Sequence, residues 1–329
     1  MEKFFESIWY SKFSLFSFIL LPFSLLFYVL IKVRLWLYDN NFINTYKSSK
    51  PSIVVGNITV GGSGKTPLVI WLAKYLSNKG LKVGIISSGY KAKFKSPVFV
   101  NSKSNPHFVG DEAVLIAKQT DSEIVSCGNR VEATRLLLDK SLIDIIIHDD
   151  GLQHYKLDRD YEIALINNDK LFGNNLLLPA GPLREPKSGL NNVNIVAYTN
   201  TIDETKFSIR SINKSVINLT SGRSKNIKDF ASKKIHLVSG VASLETIIKV
   251  LDTNNIRYII HKYDDHHKFN GSEVCFDDNT PVFITYKDYV KLVEIKNNNI
   301  WVLDHYIEPN KLFINKITKD LSVILNYEN

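Results

Sequence analysis

Gly61-Gly62-Ser63-Gly64-Lys65-Thr66 is the segment of this 329-residue chain whose residue types and spacing carry the clearest chemistry. In a glycine-dense turn between a strand and a helix, backbone N–H groups converge on phosphate oxygens, and the helix N-terminus adds a favourable dipole. Lys65 then reaches the β and γ phosphates and Thr66 ligates magnesium, so the chemistry indicated is binding of a nucleoside triphosphate. Pro67 suits a first helical turn, where no donor is needed. The strict GxxxxGK[ST] pattern asks for glycine at position 59, and Thr59 stands there.

Asp149 and Asp150 close an apolar stretch, as the magnesium-holding acid of a phosphate-loop protein does. Adjacent side chains on a strand point to opposite faces, so one acid is expected to take the metal and the other to contact substrate or a neighbour. The chain has neither the Asn-Lys-x-Asp base reader of GTPases nor the Leu-Ser-Gly-Gly signature of transporter ATPases. Transfer to an acceptor other than water needs a base near the γ phosphate. Asp111, in Gly110-Asp111-Glu112, is one acid outside the nucleotide motifs, with a helix N-cap as its plain alternative. Asp264-Asp265-His266-His267 is a dense cluster that a solvated turn would also explain, and it lacks a third clustered group for a metal.

These residues need strands and helices to hold them. From residue 51 the pattern alternates: strands at 52–55, 82–87, 143–147, 162–167 and 194–199, helices at 68–76, 112–119 and 130–139. Such alternation predicts a parallel sheet covered by helices on both faces. Residues 203–232 turn polar and Ser/Asn/Lys-rich, which predicts a linker region. A second series follows, with strands at 236–239, 258–263, 282–285 and 301–303 and a helix at 244–251.

Composition sets the outer bounds. With 44% hydrophobic and 22% charged residues the chain has material for a large core, which excludes disordered and collagen-like classes. Cys127 and Cys275 are too far apart in sequence for a CxxC motif and fit a reducing compartment. The net charge of +8 comes from lysines dispersed along the whole chain, which argues against nucleic acid and for an anionic membrane face or a phosphorylated substrate. Phe13 to Ile31 carries no charge, and at ~1.5 Å per residue a helix there is roughly 28 Å long, about a bilayer core. A retained membrane anchor is expected, with a buried or interfacial helix as the alternative. Lys32, Arg34, Lys47 and Lys50 follow it, against Lys3 and Lys12 before it, so the bulk of the chain is expected in the cytoplasm. The segment is expected to hold the protein at the membrane and to contribute little to the chemical step.

Taken together, these motifs resemble the tetraacyldisaccharide 4'-kinases, the lipid A 4'-kinases of Gram-negative bacteria. The family's GNxTxGGxGKTP loop stands from Gly56 to Pro67, with no glycine at the Thr59 position. Its GDEAxLIA run is Gly110 to Ala117, DDGLQH is Asp149 to His154, LPAGPLREP is Leu178 to Pro186, and a late Asp-His matches Asp265-His266. Three places depart from the family pattern: Ser88 replaces an arginine, Tyr286 a glutamate, and a proline is missing near Leu244.

The resemblance implies transfer of the ATP γ phosphate to the 4'-hydroxyl of a tetraacyldisaccharide 1-phosphate, giving lipid IVA at the cytoplasmic face of the inner membrane. It implies a nucleotide site over Thr59, Val60, Gly61, Gly62, Ser63, Gly64, Lys65 and Thr66. Magnesium would sit on Thr66 with Asp149 and Asp150. Asp111 is cast as the base, supported by His266, with Arg130, Arg184 and Asp150 beside the transferring group. The expected organisation is an anchor helix at 13–31, a P-loop kinase domain at 32–220 and a smaller α/β domain at 221–329 that closes the substrate cleft. No nucleic acid and no obligate protein partner are implied. The alternative from another class is a membrane-tethered P-loop ATPase that drives a partner protein.

Overall fold

In the computed structural model the described residues are 2–10, 14–90, 92–94, 96–241, 244–264, 267, 269–292 and 297–325. Two helices come first, α1 (Glu2–Trp9) and α2 (Leu15–Asp39), the second running eight residues past the expected end at Ile31. The alternating body follows as β1 (Ser52–Gly56), α3 (Lys65–Ser77), β2 (Val83–Ser87), β3 (Val98–Val100), α4 (Pro106–Val109), α5 (Asp111–Gln119), β4 (Glu123–Ser126), α6 (Arg130–Lys140), β5 (Ile145–Asp149), β6 (Tyr161–Asn167) and β7 (Ile195–Thr199). The chain continues through β8 (Ser208–Asn218), β9 (Ser224–Asn226), β10 (Lys234–Ser239), α7 (Glu245–Thr253), β11 (Arg257–Lys262), β12 (Val282–Thr285), α8 (Tyr286–Tyr289), β13 (Ile300–Pro309) and α9 (Lys311–Ile324).

The strands join one mixed sheet in the order β11-β10-β12-β13-β8-β7-β6-β1-β5-β2-β4-β3, with β9 beside β8. At its centre β1 lies parallel between β5 and β6, with Ile53 opposite Ile147 on one side and Tyr161 on the other. Every residue of β1, β2 and β5 is buried. That explains their continuous apolar sequences, because helices cover both faces of a parallel sheet and leave no face for polar alternation.

The linker expected over 203–232 instead contains the eleven-residue strand β8 and the short β9. β8 follows β7 in parallel and pairs antiparallel with β13 along nearly its whole length, which carries the sheet from one half of the chain into the other. Composition misleads here because Arg210 and Lys214 are exposed, while Ile209, Ile212 and Val216 are buried. Residue 220 also marks no clean break. Phe313, Ile317 and Leu321 recur along one face of α9 and pack into the core that holds Leu68 and Leu72 of α3. Asp320 of α9 accepts a 2.5 Å hydrogen bond from the Tyr161 hydroxyl.

Helix α2 inverts the usual pattern of an amphipathic helix. Its buried residues are Ser17 and Ser24, whereas Leu15 is 77% and Phe18 71% exposed. Length and composition suffice for a membrane span. Two serines in this apolar run are its docking points: Asn174 Nδ2 donates to Ser17 Oγ at 3.2 Å, and Ser24 Oγ donates to the Leu177 carbonyl at 2.9 Å.

Candidate active site

The glycine-rich loop leaves the carboxyl end of β1 and enters α3, where open parallel sheets place their ligands. Gly61 and Gly64 have φ of 107° and 83°, a region closed to most side chains, so the loop's curvature depends on them. Gly64 caps α3, and Pro67 falls in its first turn. Residues 60 to 66 line a large cleft. The first part of the loop is held from behind: Thr59 bridges to Leu183, and the Val60 amide donates to the Pro182 carbonyl at 2.8 Å. That N–H is therefore committed to the protein, and the amides from Gly61 onward remain for phosphate.

Lys65 Nζ lies 3.3 Å from Asn57 Oδ1 and 3.7 Å from Asp150 Oδ1. Arg184 Nη1 is 3.1 Å from both carboxylate oxygens of Asp150. Burial works against ionisation of Asp150, but Lys65 and Arg184 outweigh it and hold its carboxyl below the usual range. The simple alternation expected for the two acids does not apply, because β5 ends at Asp149 and Asp150 turns into the left-handed region with φ of 52°. Asp150 reaches the cleft through that turn.

Asp149 is the opposite case. Its carboxylate is buried, and neither oxygen has a hydrogen-bond partner among the described residues. Burial first, then the Glu112 and Asp150 charges, push its carboxyl up to about 7. The chemistry of such a carboxylate suits a cation ligand. Among the described residues no three His, Cys, Asp or Glu groups form a protein-only cage, so a divalent ion here would be shared with nucleotide phosphates, as is usual for magnesium.

Arg130 does not open onto the cleft. Its guanidinium is buried and donates to main-chain carbonyls, to Ile86 at 3.0 Å, to Asp149, and to Asp150 at 3.3 Å. The fork expected for a phosphoryl group thus ties the ends of β2 and β5 together.

Asp111 is the first residue of α5, Gly110 being the N-cap, so the plain capping alternative is not realised. Its Oδ1 accepts the Glu112 amide at 3.0 Å, and the side chain is largely buried. Glu112 forms the cleft wall at this point. Burial raises its pKa, Lys287 and Lys65 pull the other way, and Asp111 and Asp150 raise it further. Neither Glu112, inside the Gly110 to Ala117 run, nor Lys287, beside the departure at Tyr286, is singled out by its sequence pattern. What distinguishes them is that α5 and α8 bring them to one cleft. Asp265 and His266 lie outside the described residues, whereas Asp264 lines the cleft and His267 Nε2 sits 3.1 Å from Glu273 Oε1. Ser88, the replaced arginine, also lines it.

The same cleft is walled by Phe27, Leu30 and Ile31 of α2. At the end of that apolar stretch Arg34 Nη2 donates to the Gln153 carbonyl at 3.0 Å, and Gln153 Nε2 donates to Asn57 at 3.1 Å. A phosphate-binding loop and an apolar helix thus share one opening.

Residues 16–322 match the family model described as LpxK, tetraacyldisaccharide-1-P 4'-kinase. The chain is 40% identical over 303 residues to a tetraacyldisaccharide 4'-kinase of Ruthia magnifica subsp. Calyptogena magnifica, covering 92% of this chain and 96% of that one. It is 39% identical over 297 residues to the enzyme of that name from Haemophilus influenzae (strain 86-028NP), with 89% of each covered. Among solved structures, the "apo" form of LpxK from Aquifex aeolicus in complex with ATP superposes with a TM-score of 0.81 at 29% identity, covering 94% of this chain and all of that one.

Proposed function

The chain belongs to the tetraacyldisaccharide 4'-kinase family, a lipid A 4'-kinase by that membership, and from this premise we propose how its cleft performs the transfer. The observation that supports the reading most is the shared opening, a cleft lined both by Gly61 to Thr66 and by Phe27, Leu30 and Ile31 of an exposed apolar helix. A lipid whose acyl chains stay in the bilayer can offer its sugar hydroxyl there to a triphosphate on the loop. ATP is the donor, as the solved relative with ATP suggests.

Lys65 and the amides from Gly61 onward bind the phosphates, and Thr66 with Asp149 would hold magnesium. Bound there, that ion offsets phosphate charge. Asp150 is engaged by Lys65 and Arg184, so it orients the two cations that approach the transferring group. Arg130 acts as a positioning residue by fixing the carbonyls behind both acids. Asp111 accepts the proton of the 4'-hydroxyl with His266 in support, and Glu112 and Lys287 flank that site. Helix α2 sits in the inner membrane with the catalytic body on the cytoplasmic side, following the Lys and Arg after the apolar stretch. Residues 32–220 carry the nucleotide site, and 221–329 supply the far wall of the cleft.

The test is incubation of the full chain with γ-labelled ATP and tetraacyldisaccharide 1-phosphate. Label should appear in the lipid with the native chain and not with Lys65→Ala. Release of labelled phosphate without labelled lipid would favour the ATPase alternative instead.

A further inference from the structure

The loop, the acids and the apolar helix leave Asp288 of α8 without a role, although it is only 1% exposed and a carboxylate at that depth is costly unless it is fully bonded. Its Oδ2 accepts the Ser239 hydroxyl at 2.9 Å and the Thr285 hydroxyl at 2.8 Å, its Oδ1 accepts the Gly240 amide at 3.1 Å, and Lys291 Nζ lies 3.0 Å from Oδ1. One side chain thus ties the carboxyl ends of β10 and β12 together. The chain beyond β11 is drawn against them, since a Cβ on Gly240 would meet the Asp264 carbonyl oxygen at 2.8 Å. Val241, Asp264, Thr285 and Lys287, from these three segments, all line the cleft.

Helix α8 depends on this clasp. It has four residues, and isolated helices shorter than ~12 residues are marginal in water. Its N-cap is Thr285, whose Oγ1 accepts the Asp288 amide at 3.1 Å while the same hydroxyl donates to the Asp288 carboxylate. On one side Lys118 Nζ of α5 lies 4.6 Å from the centroid of the Tyr289 ring, and Val290, next in the chain, packs into the core that holds Leu68. On the other side Tyr286 packs against the core of Val238 and Ile284. The helix therefore bridges the phosphate-loop body and strands β10 and β12. It carries Lys287 to Glu112, whose carboxyl feels the charge of Lys287 more strongly than that of Lys65. Asp111 and Asp150 add negative charge there, so a cation held at this point offsets the repulsion that an anionic triphosphate meets.

We propose that Asp288 is a positioning residue for the transfer: by clasping the ends of β10 and β12 it fixes α8, and so holds Lys287 beside Glu112 in the cleft. The proposal rests on the reading of this cleft as the kinase site. Labelled-lipid formation gives kcat and KM, beside melting temperatures, for the full chain, Asp288→Ala, Asp288→Asn, Lys287→Ala and the double variant Asp288→Ala with Lys287→Ala. Asp288→Ala should lower kcat about tenfold to 100-fold, the scale of a misplaced group, and by more than it changes either KM. Asp288→Asn keeps an acceptor for the Gly240 amide and should recover most of that turnover, yet its melting temperature should stay low because Lys291 is left buried without its counter-charge. The double variant should be scarcely slower than Lys287→Ala, because the two residues act through one group. If Asp288→Ala does not fold, Ser239→Ala removes one of the same contacts and takes its place in the comparison. Turnover that follows the melting temperature in both Asp288 variants would reduce the residue to a structural one and overturn the proposal. So would losses that multiply in the double variant, or an unchanged kcat in a folded Asp288→Ala. All three presuppose labelled lipid from the native chain; none at all would remove the kinase reading itself, and this proposal with it.

Discussion

Ser24, midway along the apolar helix, accepts the Ala180 amide at 3.0 Å while its hydroxyl donates to the Leu177 carbonyl. The segment it grips is the one whose Pro182 carbonyl holds Val60 and whose Arg184 holds Asp150. The helix is therefore bonded to the back of the phosphate loop, and an anchor with little bearing on the chemical step is not what this packing describes.

Ser24→Ala leaves the buried Ala180 amide unpaired, which costs about 1–3 kcal/mol. The melting temperature should fall, and turnover should drop on detergent-dispersed substrate as well as in bilayers. Deleting residues 2–39 should impair both assays to a similar degree. Full activity of the truncated chain in detergent would contradict a structural role for α2.

Arg184→Ala should impair transfer about as severely as the loss of a positioned cation, tenfold or more, because Asp150 then has Lys65 alone. The result to look for is a kcat effect larger than the KM effect for ATP. Arg130→Met is expected to behave differently: three carbonyl contacts disappear from a buried site, so thermal stability should fall markedly. A normal melting temperature with lost catalysis would return Arg130 to the reacting group.

The pH dependence of stability should carry the signature of Asp149. Unfolded aspartate ionises near pH 3.9, whereas burial, with Glu112 and Asp150, pushes this carboxyl up to about 7 in the fold. Between those values the folded chain holds a proton that the unfolded chain has lost. Stability without nucleotide should therefore fall as pH rises through the window and level off above it. In Asp149→Asn that fall should shrink by an amount on the order of a few kcal/mol, and magnesium with ADP should restore only the native protein. Parallel pH profiles for the two proteins would count against an unpaired Asp149.

Asp111 and His266 are expected to act as one unit. Asp111→Ala should cost about 100-fold or more in turnover, His266→Ala less, and the double variant scarcely more than Asp111→Ala. ADP binding should survive in all three. Glu112→Gln gives the control: if it were the more damaging change at the acceptor step while Asp111→Ala was mild, the base would be Glu112.

The nucleotide loop, the paired acids, the strand and helix alternation and the apolar span were legible without coordinates, because each is a local pattern whose meaning depends on neighbours in sequence. Gly61 and Gly64 announce a turn, and the unbroken apolar run of Ile145 to Ile147 announces a strand covered on both faces. What tertiary structure decided are relations between distant segments. Composition could not show that the polar stretch around Ser211 and Asn213 is strand, since its partner β13 lies some ninety residues later. Nor could it show that Arg130 faces carbonyls while Arg184 faces Asp150, for two arginines in equally distinctive motifs look alike until the chain around them is folded. The direction of Asp150 turned on one left-handed backbone angle, and the purpose of Ser24 on a loop 150 residues away. Local propensity sets which elements form; which side chain meets which is set by the register and packing between them, and those interactions have no counterpart in a linear pattern.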